Sequence, residues 1–102
     1  MTPIESWAKS EDVSLDDAKR LQRLMKRRHD VGIKECNGHP HPEAKNMQDK
    51  SECSKLWGVA IDVIISKIDS ILEPYGIIFD AGTGLWGSLI REGKYIRDVP
   101  DK

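Results

Sequence analysis

Between Cys53 and Leu72, apolar side chains return so often at helical spacing that any fold must be built around this segment. Cys53, Trp57, Ala60, Ile61, Ile64, Ile65, Ile68, Ile71 and Leu72 form a broad apolar face. Asp62, Ser66, Lys67, Asp69 and Ser70 occupy the opposite side. Pro74 and Gly76 terminate the pattern, so helix is expected over residues 53–75. The charges of Asp62, Lys67 and Asp69 argue against a membrane span. A chain of 102 residues makes one domain with one core. The rest of the chain must therefore cover this helix.

The first cover is a helix expected over 14–37. Ser14 is suited to accept from the free N–H groups of a first turn, and Asp16 and Asp17 suit the positive end of its dipole. Ala18, Leu21, Met25, Gly32 and Cys36 follow at helical spacing, with Leu24 and Ile33 widening the stripe. Asn37-Gly38 is a natural stop, since both residues tolerate the left-handed conformation. Residues 1–13 form an N-terminal arm, in which Ile4 and Trp7 are spaced to dock one short helical turn on the core. Residues 38–52 are a loop or the polar start of the second helix, because His39-Pro40-His41-Pro42 cannot be helical throughout.

After Gly76 the period changes. Ile77-Ile78-Phe79 and Leu85-Trp86-Gly87-Ser88-Leu89-Ile90 are β-prone runs separated by turn residues, and Glu92-Gly93 precedes a third run at Tyr95-Ile96. Such a meander over 76–97 is not stable alone and must lie on the helices. The fold expected is α+β: a two-helix hairpin packed on a short antiparallel β-meander of two or three strands. Its core is expected to hold Leu21, Met25, Trp57, Ile61, Ile64, Ile68, Phe79 and Trp86.

Four constellations are candidates for function. Lys19, Arg20, Arg23, Lys26, Arg27 and Arg28 make a basic face that could meet a protein partner or nucleic-acid phosphates. No aromatic residue is interleaved for base stacking. The net charge of −1 supplies no global attraction to nucleic acid, and neutralisation by neighbouring carboxylates is the plainer reading. Cys36, His39, His41 and Cys53 carry ligand types that zinc accepts, and a loop between helices can gather them. Their C-x2-H-x-H-x11-C spacing matches no usual zinc module, and the alternative is that no cofactor is held. The run Ile77 to Gly87 looks like the strand and Gly-rich loop of S-adenosylmethionine-dependent methyltransferases, but no helix or second βαβ unit can follow it. A hairpin turn explains those glycines better. Leu56, Val59 and Val63 exceed what one partner helix and a meander can cover. They are expected to form an exposed patch hidden in a homodimer, unless Ile4 and Trp7 fold over it.

Catalysis has little support. His29 and Asp30 are adjacent on a helix and are expected to face different ways. Asp16 and Asp17 are explained by the helix start, and no serine sits in a nucleophile elbow. Two cysteines are too few for a disulfide framework, and Met1 to Ser10 hold no apolar signal core. A cytoplasmic protein with reduced thiols, not bound to a membrane, is expected.

The order of a basic helix ending in Glu35-Cys36-Asn37-Gly38, a second helix, then Gly76-Ile77-Ile78-Phe79 and a Gly-bearing hairpin with Trp86 and Leu89-Ile90 resembles small uncharacterised phage and prophage accessory proteins. The likeness spans roughly residues 18 to 92. It implies a small non-enzymatic protein from a mobile element that binds, and in the manner of anti-CRISPR inhibitors blocks, a host protein complex such as a CRISPR effector.

Overall fold

The computed structural model describes residues 1–101. Its elements are α1 (Pro3–Ser10), α2 (Leu15–Asn37), α3 (Lys50–Leu72), a 3-10 turn (Glu73–Tyr75), β1 (Ile77–Asp80), a second 3-10 turn (Ala81–Thr83), β2 (Ser88–Arg91) and β3 (Lys94–Tyr95). The architecture is α+β. Helices α2 and α3 form an antiparallel hairpin, α1 packs on α2, and an antiparallel sheet in the order β1-β2-β3 packs on α3. No helix among the described residues is long and apolar enough to cross a membrane.

The helix ends follow local chemistry. The Ser14 hydroxyl accepts from the Asp17 N–H at 3.2 Å, and Gly38 closes α2 in the left-handed conformation at φ 59°. Helix α3 begins at Lys50, three residues before the expected Cys53. The Asp49 carboxylate caps it, accepting from the N–H groups of Ser51 at 3.0 Å and Glu52 at 3.2 Å. Its other end stops at Leu72, and residues 73–75 tighten into the 3-10 turn around Pro74.

The N-terminal arm is more regular than expected. Thr2 and Glu5 form a reciprocal capping box, each side chain accepting from the other's backbone N–H at 3.3 Å, and Pro3 begins the helix. Ile4, Trp7 and Ala8 are buried. The Trp7 indole N–H donates to the Arg97 carbonyl at 2.9 Å, so α1 is clasped by the C-terminal segment. Buried Glu11 then ties α1 to β2, its carbonyl accepting from Arg91 Nη2 at 2.9 Å and its carboxylate lying 3.4 Å from Nη1.

In the sheet, Ile77 pairs with Arg91 and Phe79 with Leu89, while Ile90 pairs with Tyr95. Ile77, Phe79 and Leu89 are buried and Ile78 points outward, the alternation of a sheet with one covered face. Strand β2 starts at Ser88 rather than Leu85. Gly87 is held at φ 72°, and a Cβ there would lie 2.5 Å from the Phe79 ring. Leu85 and Trp86 therefore belong to the loop that delivers this glycine.

Six of the eight expected core residues are buried: Leu21, Met25, Ile61, Ile64, Ile68 and Phe79. Trp57 and Trp86 are not. Trp57 is half-buried near the start of α3, at the edge of the core beneath Lys34 and the 38–49 loop, and Trp86 is 37% exposed. The large buried aromatic of the core is Trp7, at 1% exposure.

Candidate interaction surface

Five of the six cations expected on the basic face, Lys19, Arg20, Arg23, Lys26 and Arg27, are exposed on α2. Arg20 pairs with Asp17, three residues before it, at 3.3 Å. Among the described residues the other four have no carboxylate within 4.0 Å. Neutralisation by a neighbouring helix, expected from composition, extends only to Lys19 and Glu5 of α1, whose carboxyl is held below its ordinary value by hydrogen bonds from Thr2 and, more weakly, by the Lys19 charge. Between α2 and α3, Arg20, Arg23, Leu24, Arg27 and Lys67 line an open groove of about 460 Å³. A second hollow of about 550 Å³ continues it past Val63, Ser66, Lys67 and Ser70.

Arg28 leaves the set. It is 8% exposed and turned towards the sheet, with Nη1 donating to the carbonyls of Gly84, at 2.7 Å, and Leu85. Nη2 donates to the Ala81 carbonyl at 3.0 Å, and the guanidinium lies 5.9 Å from the Phe79 ring centre. The planar fork thus collects three carbonyls of the turn between β1 and β2. Its Nε is left without a partner. The glycine-rich segment that resembles a cofactor loop is a turn held from inside by this side chain.

His29 lies beside that turn, stacked on Trp86 with ring centres 4.2 Å apart and an interplanar angle of 14°. Contrary to the expectation from helix geometry, His29 Nδ1 comes within 3.5 Å of Asp30 Oδ1. Adjacent side chains diverge at Cβ, but a short carboxylate can swing back over the imidazole edge.

The four residues considered for zinc do not come together. Cys36 is exposed at the end of α2, whereas Cys53 is buried with its thiol 3.5 Å from the Met47 carbonyl. Both histidines turn to Trp57 instead: His41 meets the ring edge-on at 4.4 Å, and the indole N–H donates to the His39 carbonyl at 2.8 Å. Lys34 Nζ sits 4.9 Å from the same ring. Among the described residues, no three His, Cys, Asp or Glu side chains converge on a metal position.

On α3, Val59 and Val63 are 62% and 51% exposed, and Leu56 is half-buried. The N-terminal arm does not cover them, because its apolar side chains are committed to α2 and the C-terminal segment.

At the lower end of the groove, the Tyr75 hydroxyl donates to Asp17 Oδ2 at 2.5 Å and accepts from the Ser14 N–H at 3.4 Å. This bond, helped by Ser14 and Arg20 against the opposing effect of desolvation, holds the Asp17 carboxyl below its ordinary value of 3.8. A carboxylate with a depressed folded pKa contributes stability that is full above the unfolded value and is lost as pH falls through the folded one. Tyr75→Phe should therefore lower the melting temperature at neutral pH, with the difference from wild type shrinking below about pH 4. Melting curves of both proteins across that range test this. A difference that stays constant into strong acid would show that Asp17 is not the linked group.

No family model matches the chain, and neither the curated proteins nor the solved structures include a match.

Proposed function

We propose that the chain is a non-catalytic binding protein that docks an acidic surface of a partner protein against the cations of α2. The observation that carries this is the exposure of Arg23, Lys26 and Arg27 with no carboxylate within 4.0 Å among the described residues, on a chain whose net charge is only −1. Cations placed this way, rather than neutralised within the molecule, raise encounter rates with a complementary surface and fix its register. Arg20 and Lys67 extend the strip into the groove, where a partner side chain could seat beside Leu24. The resemblance to small phage accessory proteins makes a cytoplasmic host complex the class of partner, with inhibition by occupancy as the mode of action.

Nucleic acid is the rival. Against it, no aromatic residue stands among these cations to stack on a base, and the net charge of −1 supplies no long-range attraction to a polyanion. Two probes at low ionic strength separate the readings: an acidic Glu- and Leu-rich peptide and a duplex oligonucleotide. The peptide is expected to bind wild type and to lose about tenfold or more in affinity on Arg23→Glu with Lys26→Glu. Tighter oligonucleotide binding, with a steep fall as salt rises, would transfer the surface to nucleic acid.

A further inference from the structure

The exposed ridge of α3 carries opposite charges on its two flanks. Val59 and Val63 lie one turn apart on the crest, and Ser66 and Ser70 continue it towards the helix end. From Val59 to Ser70 the crest runs about 16 Å at the usual rise per residue. On the α2 side, Lys67 meets Arg20, Arg23 and Arg27 across the groove. On the sheet side stand Asp62 and Asp69, seven residues apart and both exposed, Asp69 beside Ile78 and Phe79.

We infer that a second copy of this chain seats on the ridge, with the two α3 helices parallel about a twofold axis along their length. An axis in that direction carries the cationic flank of one copy onto the acidic flank of the other. A twofold axis across the helices would instead set cations against cations and carboxylates against carboxylates. The levels also agree. Helix α2 passes Gly58 at Glu35 and reaches Ser70 at Arg20, which puts Arg27 level with Ile64 and Ile65, within one turn of Asp62. In the parallel arrangement Arg27 of one copy therefore faces Asp62 of its mate, and Lys67 faces Asp69. Valine and serine on the crest let the helix axes approach to the close end of the usual 8–10 Å. The valine half of the crest thereby leaves water, with charge pairs on both sides fixing its register. Lys19, Arg23 and Lys26 stay on the outer faces of such a dimer.

The experiment is a charge exchange read by light scattering. Wild type at about 100 μM is expected to show twice the chain mass of 11.5 kDa. Arg27→Glu with Lys67→Glu, and separately Asp62→Lys with Asp69→Lys, are each expected to return the mass to that of one chain. Mixing the two variants in equal amounts restores the doubled mass, which damage to the fold could not do. A wild-type mass of 11.5 kDa, or a dimer indifferent to both exchanges, overturns the proposal. If either variant fails to fold by circular dichroism, Ser70→Cys in a Cys36→Ser background decides instead. Position 70 lies at one end of the crest, so it meets its own counterpart only when the helices are parallel. Under mild oxidation a covalent dimer supports the arrangement, and its absence overturns it. Binding of the acidic peptide to a wild-type chain that stays monomeric with the ridge protected would instead assign the ridge to a foreign helix.

Discussion

Arg28→Ala is expected to lower the unfolding free energy by about 3–5 kcal/mol, the largest loss from any single charged residue of α2. The side chain is 8% exposed and gathers the carbonyls of Ala81, Gly84 and Leu85. Its removal leaves the carbonyls of Ala81 and Leu85 without donors in a place water only partly reaches, while Gly84 keeps the Gly87 N–H at 3.2 Å. Each such group costs about 1–3 kcal/mol when truly dry, and the exposed edge at Gly82 and Thr83 lets some recover. Arg28→Lys should recover about half, because an ammonium has three donors but no flat fork to span carbonyls on two sides of a turn. The turn should loosen first, opening the stack of Trp86 on His29. Urea unfolding followed by both circular dichroism and tryptophan emission tests the claim. A loss below about 1 kcal/mol would mean that the turn holds its shape without the guanidinium.

Trp7→Ala is expected to cost about 3–5 kcal/mol, as for other large aromatics emptied from a core. Trp7 is 1% exposed and carries the bond to the Arg97 carbonyl. Trp7→Phe separates the two contributions: most of the ring volume remains, the N–H donor goes, and about 1–2 kcal/mol should be lost. Denaturant titrations of both variants measure this. A Trp7→Ala protein as stable as wild type would show that α1 is an ornament on the core rather than part of it.

The two long helices could be read from residue chemistry because their signals are local. Ser14, Asn37-Gly38 and the apolar periods of 18–36 and 53–72 act within a turn or two of where they stand. The start of α3 was less legible, since Asp49 sits in a polar run where several residues are chemically suited to cap a helix. Helix α1 carried a legible Thr2-x-x-Glu5 box after all, but a helix of eight residues is held by what it packs against. The docking of Ile4 and Trp7 on the core was legible from their spacing, but the partner that fixes Trp7 and the placements of Arg28, Trp57 and Trp86 were not, for a different reason. Each is decided by a partner far along the chain: Arg97 for Trp7, the 81–85 turn for Arg28, and His29 for Trp86. Trp57 depends on how the 38–49 loop settles over it. Arg28 shares the charge of its exposed neighbours but stands on the apolar stripe, three residues after Met25 and four before Gly32, and the turn opposite supplies the acceptors that let it be buried there. The exposure of Val59 and Val63, by contrast, followed from counting how much apolar surface one helix can hide.

The bond between Trp7 and Arg97 spans 90 positions of the chain, and Glu11 reaches 80 to Arg91. Contacts of that separation close a large loop, and the entropy of closing it is spent before the contact returns anything. The hairpin of α2 and α3 needs only the short 38–49 connection and can organise first. The slot for α1 is completed only when the last strand and the tail beyond it have been laid down. Two classes of substitution should therefore separate in time rather than in equilibrium. Truncations at Leu21, Ile64 or Ile68 would slow the approach to the native state, whereas Trp7→Ala would leave that rate nearly alone and hasten escape from it. The clasp across the chain ends works as a latch on a structure already assembled, and it sets the lifetime of the native protein more than the speed of its formation.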